Sequence, residues 1–144
     1  AASDVYKRQL IYSILIKMHN NDKKLILKFN SKLFEINLRN TETAKLIAKS
    51  IPIKSRIQIW GEEIFFNTNL QVKLEDDARD VMQLGELAFW TEGSAIAIGY
   101  GKTPVSINQE IRLIGPCNVW ADCSFKKSDF DNIKSGDKIS LDWK

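Results

Sequence analysis

Glu86-Leu87-Ala88-Phe89-Trp90-Thr91-Glu92-Gly93-Ser94-Ala95-Ile96-Ala97-Ile98-Gly99-Tyr100 reads as two short strands on either side of a turn. Gly85 leads into the first strand, and Thr91–Ser94 carries the turn. In Ala95–Tyr100 the large residues Ile96, Ile98 and Tyr100 share one face, while Ala95, Ala97 and Gly99 share the other. A strand with one bulky and one nearly bare face suits crowding by neighbouring backbone, or the lining of a concave surface.

The pattern continues outward. Lys24–Phe29 and Leu33–Leu38 alternate apolar and polar residues around Asn30-Ser31-Lys32, which predicts a hairpin. Asn40 or Thr41 can cap a short helix over Glu42–Ser50, with an apolar stripe of Ala44, Ile47 and Ala48, and Pro52 closing it. Arg56–Trp60 and Glu63–Phe66 read as strands parted at Gly61, and Gln71–Leu74 as another. Ala78–Met82 reads as a helical turn after the acidic Glu75-Asp76-Asp77. Cys117–Phe125 is a strand, Lys126–Ile133 a polar or helical connection, and Lys138–Trp143 the last strand, entered through Gly136-Asp137. About eight short strands with close turn signals and one or two short helices predict a mostly β domain, a closed barrel or sandwich. No repeat or linker divides it.

A chain of 144 residues, 44% hydrophobic and 27% charged, can bury one ordinary core. Its net charge of +3 is spread over scattered lysines with no basic run interleaved with aromatics, which argues against nucleic acid as a partner. The apolar run Leu10–Ile16 is far short of the roughly 20 residues that span a bilayer, and it lacks a cleavage site for secretion. Cys117 and Cys123 fall on one face of a single strand, roughly 20 Å apart, so they are expected to stay free thiols, as in a reducing, cytoplasmic setting.

Residues 1–9, Ala1-Ala2-Ser3-Asp4-Val5-Tyr6-Lys7-Arg8-Gln9, resemble the translation of a common transposon-based sequencing adapter, of the kind left at the ends of reading frames from metagenomic reads. Met18 is the first methionine, so residues 1–17 are expected to be a non-native or disordered extension and residues 18–144 the domain. Without that extension the charge falls from +3 to +1.

Motifs that would carry chemistry are incomplete. Gly99-Tyr100-Gly101-Lys102-Thr103 contains Gly-Lys-Thr, but a phosphate loop needs glycine where Ile96 stands, and Pro104-Val105 does not open a helix. Glu62 and Glu63 are neighbours along a strand, so they point to opposite faces and at most one can line a given site. Glu75-Asp76-Asp77 with Asp80 lacks the spacing of a calcium loop. His19, the only histidine, lies in the leading stretch, which leaves the body of the domain without the usual general base and without a zinc ligand set. No cofactor or metal is expected.

Five segments in series carry a resemblance: Trp60-Gly61-Glu62-Glu63-Ile64-Phe65-Phe66; Gly85-Glu86-Leu87-Ala88-Phe89-Trp90 with Gly93; Gly101-Lys102-Thr103-Pro104-Val105-Ser106; Pro116-Cys117-Asn118-Val119; and Lys134-Ser135-Gly136-Asp137-Lys138. From about Lys24 to Leu141 the chain resembles a small bacterial and archaeal cyclophilin-like family, a domain of unknown function. The resemblance implies a closed eight-stranded cyclophilin-type β-barrel with a short helix near one end. Thr91-Glu92 stands where that family usually has a pair of prolines, and Trp120 and Trp143 are additions. True cyclophilins isomerise X–Pro bonds with an arginine beside phenylalanine and histidine. No such Phe-x-Arg segment or matching histidine occurs here, and a shared fold alone transfers no activity.

Three functions compete: a non-catalytic module that binds a small molecule or peptide, a weak prolyl isomerase, and a subunit of a larger amide-handling assembly. An exposed apolar patch larger than a few hundred Å² would favour the last. The candidate ligand-binding residues are Trp60, Glu62, Tyr100, Thr103, Pro104, Ser106 and Asn118. Trp60 and Tyr100 offer apolar area with a polar tip, and Thr103, Ser106 and Asn118 can orient a ligand by hydrogen bonds. Gly99 and Gly101 would let it approach the backbone.

Overall fold

The computed structural model describes residues 4–11 and 24–144. Residues 4–11 are helical and exposed throughout. The proposed start at Met18, His19 and most of the Leu10–Ile16 run lie outside the described residues.

Among the described residues ten strands make one nearly closed antiparallel sheet, in the order β3-β10-β1-β2-β9-β7-β8-β5-β4, with β6 paired to β9. They are β1 Leu25–Phe29, β2 Lys32–Leu38, β3 Ile53–Arg56, β4 Gln58–Ile59, β5 Glu63–Asn67, β6 Arg79–Met82, β7 Glu86–Trp90, β8 Ala95–Gly99, β9 Ile111–Asp122 and β10 Lys138–Trp143. Helix α1, Glu42–Lys49, is capped by the Thr41 hydroxyl, which accepts from the Ala44 N–H, and it buries Ala44 and Ile47. A short 3-10 helix, Lys127–Phe130, precedes β10.

The barrel is as expected, but it has ten strands, not eight. Ala78–Met82 is not a helical turn: its second half pairs with the start of β9, Val81 opposite Arg112 and Met82 opposite Ile111. Gln71–Leu74 is irregular and pairs with no strand; the Asn118 side chain bonds the Lys73 carbonyl and the Glu75 N–H just beyond it. β9 begins at Ile111, six residues before the expected Cys117. Pro116 is tolerated because the β6–β9 register breaks between Arg79 and Val81, leaving that stretch of β9 without a regular ladder.

The last two strands counted come from a corner. β3 pairs with β10 and β4 with β5, and only Ile57 separates them. The chain itself therefore carries the sheet from one edge to the other. Ile57 is buried and bonded to the turn before β10, donating to the Asp137 carbonyl and accepting from the Gly136 N–H, both at 2.8 Å. Across the remaining gap the Ser55 hydroxyl donates to the Asn67 carbonyl at 2.9 Å.

The barrel interior holds the main core, with Phe29, Phe66, Phe89, Ile96, Ile98 and Trp120 fully enclosed. A smaller cluster of Met82, Ala88, Ala97, Leu113 and Cys117 lies on the opposite face of the sheet. A bulge divides the two sides of β9: Leu87 faces Ala121 but Ala88 faces Val119, so Trp120 is the extra residue and both Trp120 and Ala121 enter the main core. The two cysteines consequently do not share a face. Cys117 joins the outer cluster, Cys123 joins the main core, and both are free thiols. No described helix is long and apolar enough to cross a membrane.

Candidate functional site

Part of the outer cluster lines an open cavity of about 190 Å³. Its floor follows from pairing: Glu63 sits opposite Gly99 and Phe65 opposite Ala97 between β5 and β8, while Ala88 faces Ala97 and Trp90 faces Ala95 between β7 and β8. The Ala97 methyl leaves room above it, and Phe65 and Trp90 rise as walls. The first half of β9 crosses this face, with Ile111 lying against Gly99, where an added Cβ would come within 2.3 Å of its methyl group. Leu113, Ile114 and Cys117 complete that side. Trp60 enters from the β4–β5 turn, its N–H held by the Glu63 carbonyl at 2.9 Å. Trp90 is placed by Gly93, since a Cβ there would lie 2.1 Å from the indole ring.

Among the described residues Glu63 is the one acidic group in the wall. It is 6% exposed, and among the described residues no donor or cation reaches its carboxylate. The other buried polar side chains are all bonded: Thr43 to Glu75, Glu86 to Arg79, Thr103 to the Arg112 carbonyl, and Asn118 to the Glu75 N–H. Burial alone pushes the Glu63 carboxyl up to about 7. The Cys117 thiol is raised to about 12 by burial, then by the carboxylates of Glu63, Asp80 and Glu92, so it is not a nucleophile near neutral pH. Among the described residues no group of three His, Cys, Asp or Glu is placed to hold a metal. Such a wall can hold a cation or, with Glu63 protonated, donate one hydrogen bond.

The structure divides the seven sequence candidates among three places. Trp60 lines the cavity. Glu62, Tyr100, Thr103, Pro104 and Ser106 gather beside the neighbouring loop, away from it. There Glu62 pairs with Lys127 at 2.9 Å and accepts from the Lys102 N–H, and Tyr100 stacks on Phe130 with centroids 4.3 Å apart. The Ser106 hydroxyl accepts from the Thr103 N–H at 2.9 Å and from the Arg112 N–H at 3.3 Å, so this segment is a braced turn. Asn118 is fully enclosed, donating to Thr43 and to the Lys73 carbonyl. Trp60 and Tyr100 fall on opposite sides because β8 alternates, sending Tyr100 toward the main core and Ala97 toward the cavity. The space above Gly99 and Gly101 is already filled, by Ile111 and by the Glu62 carboxylate.

Sequence reasoning missed Glu63 and Trp90. The signal for Glu63 was its register: Ile64 and Phe66 belong inside, which puts Glu63 and Phe65 on the face shared with the small residues of β8.

The cyclophilin-like family matches residues 23–142. The chain belongs to the cyclophilin-like family. A hypothetical protein from Archaeoglobus fulgidus, solved in solution, is similar to this cyclophilin-like chain at 32% identity and a TM-score of 0.70. The likeness covers 85% of this chain and 95% of the archaeal one. Among curated proteins none matches.

A second, wider depression of about 740 Å³ lies outside β1, β3 and β10, lined by Lys28, Lys54, Arg56 and Lys138 with Asn30 and Ser140. Its cations are exposed, and it encloses no buried polar group that would define a ligand.

Proposed function

We propose that this cyclophilin-like barrel is a non-catalytic module that binds a small molecule in the cavity of Trp60, Glu63 and Trp90. The observation that carries the reading is a buried carboxylate with no partner among the described residues, set in an otherwise apolar wall. Apolar walls with one convergent polar group are the common form of a small-ligand site. Two further facts favour binding over catalysis. Among the described residues the cavity has one titratable group of usable pKa, where acid–base chemistry usually wants two, and no guanidinium to polarise a twisted amide.

A thermal-shift screen tests the reading, because a ligand that binds only the folded chain raises its melting temperature by mass action. The Ala97→Leu variant, which fills the floor, provides the control. Compounds that stabilise the parent and not the variant support the cavity. A hit list that stabilises both equally, or an empty one, removes it.

A further inference from the structure

We propose that the cavity takes an organic cation, an ammonium on a compact apolar body, with its nitrogen seated at Glu63 and its carbon frame against Trp60, Phe65 and Trp90. This deepens the binding reading above and rests on it.

The argument begins with charge. A carboxylate largely withdrawn from bulk water, with no donor from the described residues, is a costly placement, and the Glu63 oxygens keep only their opening onto the pocket. Nothing about packing asks for one here. The residue opposite Glu63 is Gly99, and the remaining walls are aromatic, aliphatic or thiol. Elsewhere the barrel supplies its buried polar groups with partners: Glu86 has two arginines and Asn118 has three bonds. At Glu63 the missing partner is left for a ligand to bring, and what it must bring is positive charge. Because no lysine, arginine or histidine among the described residues lines the cavity, carboxylates and phosphates would meet one more negative charge and no cation from them. The indoles act in the same direction. Two tryptophans share this wall with the carboxylate, and the face of an indole is the best of the natural rings for an organic cation.

A rival ligand fits the same geometry: a neutral carbonyl compound that accepts a proton-bearing Glu63. The two differ in the sign of their pH dependence. Pairing with a cation needs the ionised form, and the free carboxyl titrates at about 7. Affinity for an ammonium should therefore rise roughly thirtyfold between about pH 5.5 and about pH 8.5, whereas affinity for a carbonyl should fall. The groups around Glu63 leave this slope to it. From β9, the Cys117 thiol stays protonated over that range, and Arg112 is taken by Asp80 and Glu110. From the β4–β5 turn, Glu62 is paired with Lys127, and β8 presents only Gly99 and Ala97. Glu92, beyond β7, bears on Cys117.

The test titrates the full chain with three probes that share a phenylethyl body, phenethylammonium, 2-phenylethanol and 3-phenylpropionate. Binding is followed by calorimetry and tryptophan fluorescence at both pH values. The expected result is that the ammonium binds at least about tenfold tighter than the alcohol at the higher pH and loses roughly thirtyfold at the lower. The carboxylate should not bind. Glu63→Gln should erase the preference for ammonium over alcohol while leaving the alcohol bound. Trp60→Ala should weaken the ammonium more than the alcohol. An alcohol that matches the ammonium, or affinity that grows as pH falls, overturns the cation while leaving the cavity as a binding site. If no probe binds, the proposal also fails, and the thermal-shift screen decides separately whether the cavity takes any ligand.

Discussion

Two buried glutamates in this barrel have opposite fates, and each leaves a signature in the pH dependence of stability. Glu86 is pushed up by burial, but Arg79, the Gln83 N–H and Arg39 outweigh that and hold it at about 2. Glu63 has only the burial, and rises to about 7. A raised carboxyl holds its proton longer folded than unfolded. Its contribution is thus most favourable below about 4.5 and is lost as pH climbs toward 7. Removing the charge should help at alkaline pH. Glu63→Gln is expected to be more stable than the parent by roughly 1–3 kcal/mol at about pH 8, the difference shrinking toward pH 5. Urea unfolding across that range checks it, and a variant less stable at every pH would mean that an unseen donor serves Glu63. The sequence disclosed part of this. Alternation states that Glu62 and Glu63 diverge, and they do, into a surface pair with Lys127 and into the cavity. Which of them is buried depends on what lies opposite, and Gly99 is 36 residues away.

At the scale of elements, strand pairing is held at one junction by charge. Arg39, just after β2, bonds Asp122 at the end of β9 at 2.7 and 2.8 Å and Glu86 at the start of β7 at 2.9 Å. Arg79, at the start of β6, grips the same Glu86. The ends of β2 and β6 thus meet on one β7 carboxylate that is 8% exposed, and Asp122 ties β9 to it through Arg39. Glu86→Gln should cost about 2–4 kcal/mol at neutral pH, since it takes the carboxylate from Arg79 and leaves Arg39 with Asp122 alone. Because the native carboxyl is depressed, that cost should fade as pH drops from about 4.5 toward 2, which acid-dependent denaturation curves would reveal. A flat pH profile for the difference would contradict the clasp. None of this can be read from spacing, because it joins residues 39, 79, 86 and 122 through tertiary pairing alone. The hairpin of β1 and β2 and the cap of α1 were legible, since turn residues and a threonine cap act within a few positions. β6 was not. Arg79-Asp80-Val81-Met82 has too little alternation to announce a strand, and becomes one because β9 offers it an edge. The long strand β9 hid for the opposite reason, as Gly115-Pro116 looks like an ending but lies where the ladder is already broken.

For the whole molecule, strand-sized segments with close turns were enough to announce a barrel, and the bare face of Ala95–Gly99 announced a concave surface where the cavity now lies. What local pattern could not convey was how the circuit closes. Between β3 and β5 there is no ladder, only the corner at Ile57 and a hydroxyl bridging Ser55 to Asn67. A cylinder with one such line should breathe along it. In native-state hydrogen exchange the amides of β7 and β8, each flanked by strands on both sides, should be released only when the entire chain unfolds. Those of β3 and β4 should exchange earlier, through openings that leave the other staves together. Replacing Ser55 with alanine should hasten exchange along that line and leave protection in β7 and β8 near its original level. Uniform acceleration throughout would instead describe a hoop without a join.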